Sequence, residues 1–306
     1  MKLLLFDDYQ LGVLNKDGNV VNVSQEIENF EKMPPNLRVV EVINNWSKYQ
    51  PKFNDCIEKN PGTDLSGHKI RPPLPKPGKM VCMAVNYMEN GTRSEPAPIN
   101  AFLKSPNSVI GDGDTIEMSE QDAIVFEHEA ELAMIIGKEA KNAKQDDWRD
   151  YIFGYMNFID VSSRGLGAPP MDSFFAMKSP NTSAPMGPFI VTADEIPDPL
   201  NLDVKLWVNG KLRQDYHTSD MAHKIPRCIE WTSSITKLNP GDIVPTGTNH
   251  RGLGPIHDGD KIEMEIENMG KLTVFVKDSL KRQWADETRL ERQEKGEQET
   301  MAPRIK

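Results

Sequence analysis

The stretch Phe126-Glu127-His128-Glu129-Ala130-Glu131-Leu132-Ala133-Met134-Ile135-Ile136-Gly137 places three glutamates at alternate positions just ahead of an apolar run. The second half is rich in aliphatic residues and stops at glycine, the pattern of a buried strand. Side chains alternate between the two faces of a strand, so Glu127, Glu129 and Glu131 are expected to project together. Neighbouring carboxylates beside a buried run repel one another and resist desolvation. Either they face water, or a cation sits between them, and hard oxygen donors suit a divalent ion. A helix would pair Glu127 with Glu131 instead, but the Ile-Ile-Gly that follows opposes it.

Three further segments carry polar groups in apolar surroundings. Asp160 lies within Gly154-Tyr155-Met156-Asn157-Phe158-Ile159-Asp160-Val161-Ser162-Ser163-Arg164 and reads as a cap or turn residue, or as a third carboxylate for a metal. Lys178 precedes a proline-punctuated loop and reads as a solvated lysine or a functional one. Residues 241–254 are glycine-rich but lack the Gly-Lys-Ser/Thr of a P-loop. Their hydroxyls and N–H groups suit an anion, or an ordinary loop.

The balance of charge narrows the class of partner. The 306-residue chain has 46 acidic against 36 basic residues, a net charge of −10. That argues against nucleic acid and anionic membranes, which require a basic face. The excess is concentrated: residues 111–135 hold Asp112, Asp114, Glu117, Glu120, Asp122, Glu127, Glu129 and Glu131, with no lysine or arginine. Cys56, Cys82 and Cys228 are widely separated, which points to a reducing, cytoplasmic compartment. The apolar run at residues 1–6 is too short for a signal-peptide core, and no run approaches the roughly 20 apolar residues of a membrane helix.

The elements that must position these groups are mainly strands. Ile262, Met264 and Ile266 alternate with glutamates, Asn268-Met269-Gly270 turns, and Leu272, Val274 and Val276 alternate back, giving a hairpin. Val204, Leu206 and Val208 alternate into Asn209-Gly210, a second hairpin. Pro34-Pro35 opens a helical pattern with Leu37, Val40, Ile43, Trp46 and Tyr49 on one side, and residues 220–236 are the best other helix. Residues 51–78 read as polar and end in a proline cluster (Pro72, Pro73, Pro75, Pro77) expected to act as a semi-rigid linker. The fold class is mostly β with some helix (α+β), with curled mixed sheets. The expected organisation is a small N-terminal α+β domain at 1–72, a catalytic domain at 73–280, and a polar C-terminal tail at 281–306. Residues 285–306, with six acids and five bases, read as a frayed tail or a surface helix.

Taken in order, these segments resemble the fumarylacetoacetate hydrolase family over about residues 80–278. The resemblance runs through Asn86-Tyr87, Phe102-Leu103-Lys104-Ser105-Pro106, Glu129-Ala130-Glu131-Leu132 with Ile136-Gly137, and Gly154-Tyr155 leading to Asp160-Val161-Ser162-Ser163-Arg164. It continues with Lys178, Ala184-Pro185-Met186-Gly187-Pro188, Gln214, Thr218-Ser219-Asp220-Met221, Pro240-Gly241-Asp242 and Thr246-Gly247-Thr248. It implies a β-roll-like catalytic domain, a homodimer, and Mg²⁺ or Mn²⁺ held by Glu129, Glu131 and Asp160. It implies a small-molecule substrate, a 2-oxo or β-diketo acid, whose developing enolate or oxyanion the metal stabilises as a Lewis acid. Lys178 would add positive charge, and Tyr87, Gln214, Thr218 and Thr248 match the substrate end.

One departure bears on the reaction. Many members place a histidine three residues after the Asn-Tyr pair, where it acts in proton transfer; here that position is Asn90, which takes no proton at neutral pH. Glu89 and His250 are the candidate replacements. His128 is expected to point away from the metal as a structural histidine, and His223 is undecided. The implied activity is metal-dependent hydrolysis of a C–C bond in an acylpyruvate or related diketo acid. The alternatives are decarboxylation, enol–keto isomerisation or hydration at the same site, and a non-catalytic keto-acid binder. Residues 88–98, which carry glycine, serine and prolines, read as a lid that contributes to specificity.

Overall fold

The computed structural model describes residues 1–166 and 173–305. Among them, eleven strands form one mixed sheet and five form a second, with a two-stranded ribbon besides. The fold is thus the α+β class of curled mixed sheets that the alternating segments predict.

The middle of the large sheet is built from Ala130–Ile136 and Ile152–Ile159, both buried along their full length. Their near-continuous apolar composition follows from having a core on each face. Leu132, Met134 and Ile136 enter one apolar cluster, shared with the second sheet. Ala133 and Ile135 enter the other, beneath the N-terminal helices. The two strands run antiparallel, with Ala130 opposite Ile159 and Glu131 opposite Phe158. Ile243–Pro245 flanks Ala130–Ile136, and Ala184–Thr192 flanks Ile152–Ile159.

The second sheet contains both expected hairpins, Asp203–Val208 with Lys211–His217 and Lys261–Ile266 with Lys271–Lys277. Asn209 and Gly210 both have positive φ, 50° and 79°, the backbone that a tight two-residue turn needs.

The N-terminal strands extend the large sheet. Lys2–Phe6 pairs antiparallel with Ala184–Thr192, Leu3 opposite Ile190. The helices Pro35–Asn44 and Trp46–Lys59 bury Val39, Val42, Ile43, Tyr49 and Phe53. Leu37 is instead 46 % exposed. A strict three-residue spacing drifts around a 3.6-residue helix, so Ile43 and Tyr49 fall on the buried face while Leu37 falls off it. Residues 51–59 continue the second helix, where a polar segment was expected, because its Phe53 faces the core. Pro72, Pro73 and Pro77 are buried in the body of the fold.

The second expected helix spans Ile225–Ile235 and buries Ile225, Cys228, Ile229 and Thr232. The C-terminal residues contain a short helix, Arg289–Glu294, opened by a reciprocal cap between Thr288 and Glu291. They lie against the molecule rather than fraying, with Trp284 and Ala302 buried. Charged pairs such as Arg289 with Glu127 hold them there, which their low apolar content does not reveal.

Candidate metal centre and its outer end

The strand that carries the glutamates breaks at His128-Glu129. Val125–Glu127 leaves the sheet to pair with Ser162–Arg164, Glu127 opposite Ser162, while Ala130–Ile136 stays in it. The break separates the three glutamates that an unbroken strand would put on one face. Glu129 and Glu131 stay together and meet Asp160, whose backbone N–H donates to the Glu129 carbonyl at 2.9 Å. One carboxylate oxygen from each of Glu129, Glu131 and Asp160 lies within 4.8 Å of the others, and all three residues are buried. Glu127 turns away to Arg164 (2.9 Å) and Arg289 (2.6 and 2.9 Å).

Basic side chains line this acidic cluster. Lys178 Nζ donates to Glu129 (2.8 Å), Asp160 (2.6 Å) and the Ser162 hydroxyl. Lys104 Nζ donates to the other Asp160 oxygen (2.6 Å) and the Val161 carbonyl (3.2 Å). Arg164 joins Glu127 to Glu129. Burial opposes ionisation of Glu129, but the charges of Lys178 and Arg164 outweigh it and hold its carboxyl well below the usual range. Burial likewise works against the charged Lys178, yet Asp160 and Glu129 raise it above an ordinary lysine.

Glu131 differs. It accepts from the Gly247 N–H at 2.8 Å, and no basic side chain pairs with it among the described residues. Burial, then the charges of Asp160 and Glu129, push its carboxyl well above the ordinary value. A cation between these oxygens would remove that penalty. Three hard, buried carboxylates fit Mg²⁺ or Mn²⁺ by donor type.

The outer end of the site is built from loops. The Glu89 carboxylate accepts from the His250 backbone N–H (2.8 Å) and lies 2.7 Å from His250 Nδ1, so both oxygens hold one residue. Nε2 is thereby left as the other ring nitrogen. Glu89 and Asn90 have φ of 56° and 54°, an uncommon backbone region outside glycine that recurs at functional loops. Asn90 uses its side-chain oxygen to accept from Asn249 Nδ2 (3.1 Å), beside His250.

The remaining sequence candidates surround this end. Gln214 donates to Thr248 Oγ1 (2.8 Å) and the Asn249 carbonyl (2.9 Å), accepts from the Ala130 N–H (3.0 Å), and faces His128 Nδ1 (3.0 Å). It therefore ties the strand carrying Glu131 to the loop carrying His250. Thr218 accepts from the Leu202 N–H at 3.0 Å, which fixes a turn. Tyr87 is buried edge-on against Tyr216. His128 points to Gln214, away from the carboxylates, and burial lowers it to about 4. His223 Nε2 meets the Ala97 carbonyl at 2.8 Å, anchoring the far end of the 88–98 loop.

Lys104, Ser162 and Arg164 belong to the centre without having been singled out. Lys104 and Arg164 lie inside segments that carry the family resemblance, so a signal for them existed. Arg289 had none, since it sits in a polar tail.

A buried acidic centre between curled sheets, with lysines against it and a Glu–His pair at its mouth, defines a class of small-molecule enzyme site. The chain belongs to the fumarylacetoacetate hydrolase family: residues 79–277 match the fumarylacetoacetate hydrolase C-terminal domain. Maleylpyruvate hydrolase of Aquipseudomonas alcaligenes is 32 % identical over 295 residues, covering 90 % of this chain and 99 % of that protein. Oxaloacetate tautomerase YisK of Bacillus subtilis is 33 % identical over 291 residues, covering 88 % and 94 %. The crystal structure of maleylpyruvate hydrolase from Sphingobium sp. SYK-6, in complex with manganese(II) and pyruvate, superposes with a TM-score of 0.82 at 32 % identity, covering 91 % of this chain and 99 % of that one.

Proposed function

We propose that this protein is a divalent-metal-dependent hydrolase that cleaves a C–C bond in an acylpyruvate or related β-diketo acid. The observation that carries this reading is the pairing of the buried Glu129–Glu131–Asp160 cluster with the Glu89–His250 couple. The manganese(II) and pyruvate bound by the Sphingobium relative support it.

Glu129, Glu131 and Asp160 would hold Mg²⁺ or Mn²⁺. Bound there, the ion would act as a Lewis acid toward the negative charge that develops on the substrate. Lys104 and Arg164 fix Asp160 and Glu129 from behind. Lys178 adds a positive charge where negative charge develops on the substrate. Glu89 accepts the His250 Nδ1 proton, which leaves Nε2 free to take one from water. The water oxygen bonds to the outer carbonyl carbon, and the bond between that carbon and the methylene of the pyruvate unit breaks. The products are a carboxylic acid and pyruvate, whose methyl carbon gains the proton carried by His250. Tyr87 and Thr248 line the substrate end, while Gln214 and Thr218 act through the loops they brace.

Asn90 favours a second reading. With no proton-accepting group at that position, enol–keto isomerisation or decarboxylation needs no activated water, and the similarity to an oxaloacetate tautomerase accords with it. A panel of acylpyruvates and oxaloacetate with Mn²⁺, read for product identity, separates the two. Pyruvate plus an acid supports hydrolysis. CO₂ or tautomer alone supports the second reading, and full turnover after chelation overturns both.

A homodimer in the cytoplasm completes the proposal. Leu103 and Phe175, on adjoining elements, are 61 % and 72 % exposed, which suits a face covered by a second copy. The three cysteines are unpaired, and no helix among the described residues is long and apolar enough to cross a membrane. Sedimentation equilibrium tests the dimer: a monomer at micromolar concentration would refute it.

A further inference from the structure

The loops that carry Glu89 and His250 meet over a third element, the turn Thr218–Asp220. One Asp220 carboxylate oxygen accepts from the Asn90 backbone N–H (3.1 Å) and from Asn249 Nδ2 (3.0 Å). The Asp220 carbonyl accepts from the Met88 N–H at 3.0 Å, and Tyr87 bridges to Met221. Asn249, which is buried, also donates from Nδ2 to Asn90 Oδ1 at 3.1 Å. Its own Oδ1 accepts from the Arg251 N–H (3.1 Å), and its carbonyl accepts from Gln214 (2.9 Å). The Asn249 amide therefore has one orientation: turned over, it would set its oxygen against the Asp220 carboxylate and its NH₂ against an N–H.

A single carboxylate oxygen is thus shared by the residue after Glu89 and the residue before His250. Bonds of this kind to an ionised acceptor are stronger than neutral ones. They act where the backbone most needs support, because two consecutive left-handed residues, Glu89 and Asn90, persist only if their surroundings hold them. We infer that Asp220 is the positioning residue of the Glu89–His250 couple. Through Asn90 and Asn249 it holds the two loops at one separation, and so fixes the neutral His250 ring as the tautomer with its proton on Nδ1 and a bare Nε2. Asn90, which takes no proton itself, is the strut between the loops. This rests on the proposed proton transfer by His250, but the arrangement it specifies is read without turnover.

The test is ¹⁵N NMR of the histidine-labelled, full-length, Mg²⁺-loaded protein at alkaline pH, where an ordinary imidazole is neutral. The His250 signals are those lost in His250→Asn. The native ring is expected to carry its proton on Nδ1. Asp220→Ala should move it to a mixture rich in the Nε2–H form, whereas Asp220→Asn, which keeps an oxygen acceptor, should retain the native tautomer. Asn90→Gly removes the exposed strut yet accommodates the left-handed backbone, so it should shift the tautomer part of the way and carries the test if Asp220→Ala does not fold. On an acylpyruvate, Asp220→Ala should lower kcat by about a hundredfold, the scale of a displaced reacting group, with KM and Mg²⁺ affinity within threefold of native and activity recovered in Asp220→Asn. A native Nε2–H tautomer overturns the inference, as does a native tautomer in every folded variant of Asp220 and Asn90. A shifted tautomer with undiminished turnover leaves the inference standing and refutes proton transfer by His250.

Discussion

The two ends of the site are built by different means. The inner end is set by strand register: Ala130–Ile136 against Ile152–Ile159 brings Glu129 and Glu131 to Asp160, inside a core that packs both faces of the sheet. The outer end is assembled from parts far apart in sequence: Glu89 in one loop, His250 in another, and Arg289 in the C-terminal segment. Strand pairing tolerates no small slip, because a shift of one residue turns every side chain over. Loops held by side-chain hydrogen bonds can exchange residues while keeping geometry. On the proposed roles, this contrast would let a strand-built metal centre stand beside a loop-built proton-transfer group of variable composition.

Breaking the inner end should have the largest effect. Glu131→Gln keeps the shape and the Gly247 contact but removes a ligand charge, and turnover should drop by about a thousandfold, with Mn²⁺ affinity falling alongside in a calorimetric titration. Retained metal affinity would show that Glu131 is not a ligand.

His250→Asn should lower hydrolysis by about 10²–10⁴-fold, while Mn²⁺ affinity stays near native. Glu89→Gln should act in the same direction and less strongly. If either variant loses metal binding as well, the two ends are not separable.

A smaller effect is expected from Arg289→Met, which links the ends. It leaves Glu127 with Arg164 alone, so Arg164 is drawn from Glu129. Metal affinity should weaken by about tenfold, the scale typical of groups that orient ligands, with KM rising more than kcat falls.

The smallest effect concerns the root of the C-terminal segment. The buried Asp278–Arg282 pair joins the last strand of the second sheet to the residues leading into Trp284. Burial tends to raise the Asp278 carboxyl, but the bonds and charge of Arg282 prevail and lower it. A lowered carboxylate contributes its full stability above the unfolded value of about 3.9, and that contribution is lost as pH falls through the folded value. Arg282→Met should therefore flatten the acid limb of melting temperature against pH and cost about 1–3 kcal/mol at neutral pH. An unchanged acid limb would deny the pair that role.

The sequence was most legible where chemistry and periodicity coincide. Glu129, Glu131 and Asp160 are conspicuous as carboxylates beside buried strands, but only the family resemblance selects them as a set; both hairpins are legible because alternation and Asn- and Gly-bearing turns are local signals. Glu127 was grouped with the wrong neighbours, since nothing local marks where a strand leaves its sheet; the partner Ser162–Arg164 decides that. Leu37 falls off the buried face that holds Ile43 and Tyr49, because a spacing of three approximates 3.6 only over a turn or so. The polar C-terminal segment reads as a frayed tail or a surface helix; it holds a short helix, and its arginines are fastened by Glu127 and by a neighbouring backbone carbonyl, contacts that no composition can display. Glu89 and His250 were candidates only singly; their pairing spans 161 residues and belongs to the tertiary structure.

The most direct test of the central claim is hydrolysis of an acylpyruvate in H₂¹⁸O with Mn²⁺, followed by mass spectrometry of both products. The account predicts one ¹⁸O in the newly formed carboxylate of the released acid, stoichiometric pyruvate, and neither product after chelation. Cleavage that persists without metal, or metal-dependent turnover that yields only the tautomer or CO₂, would contradict it.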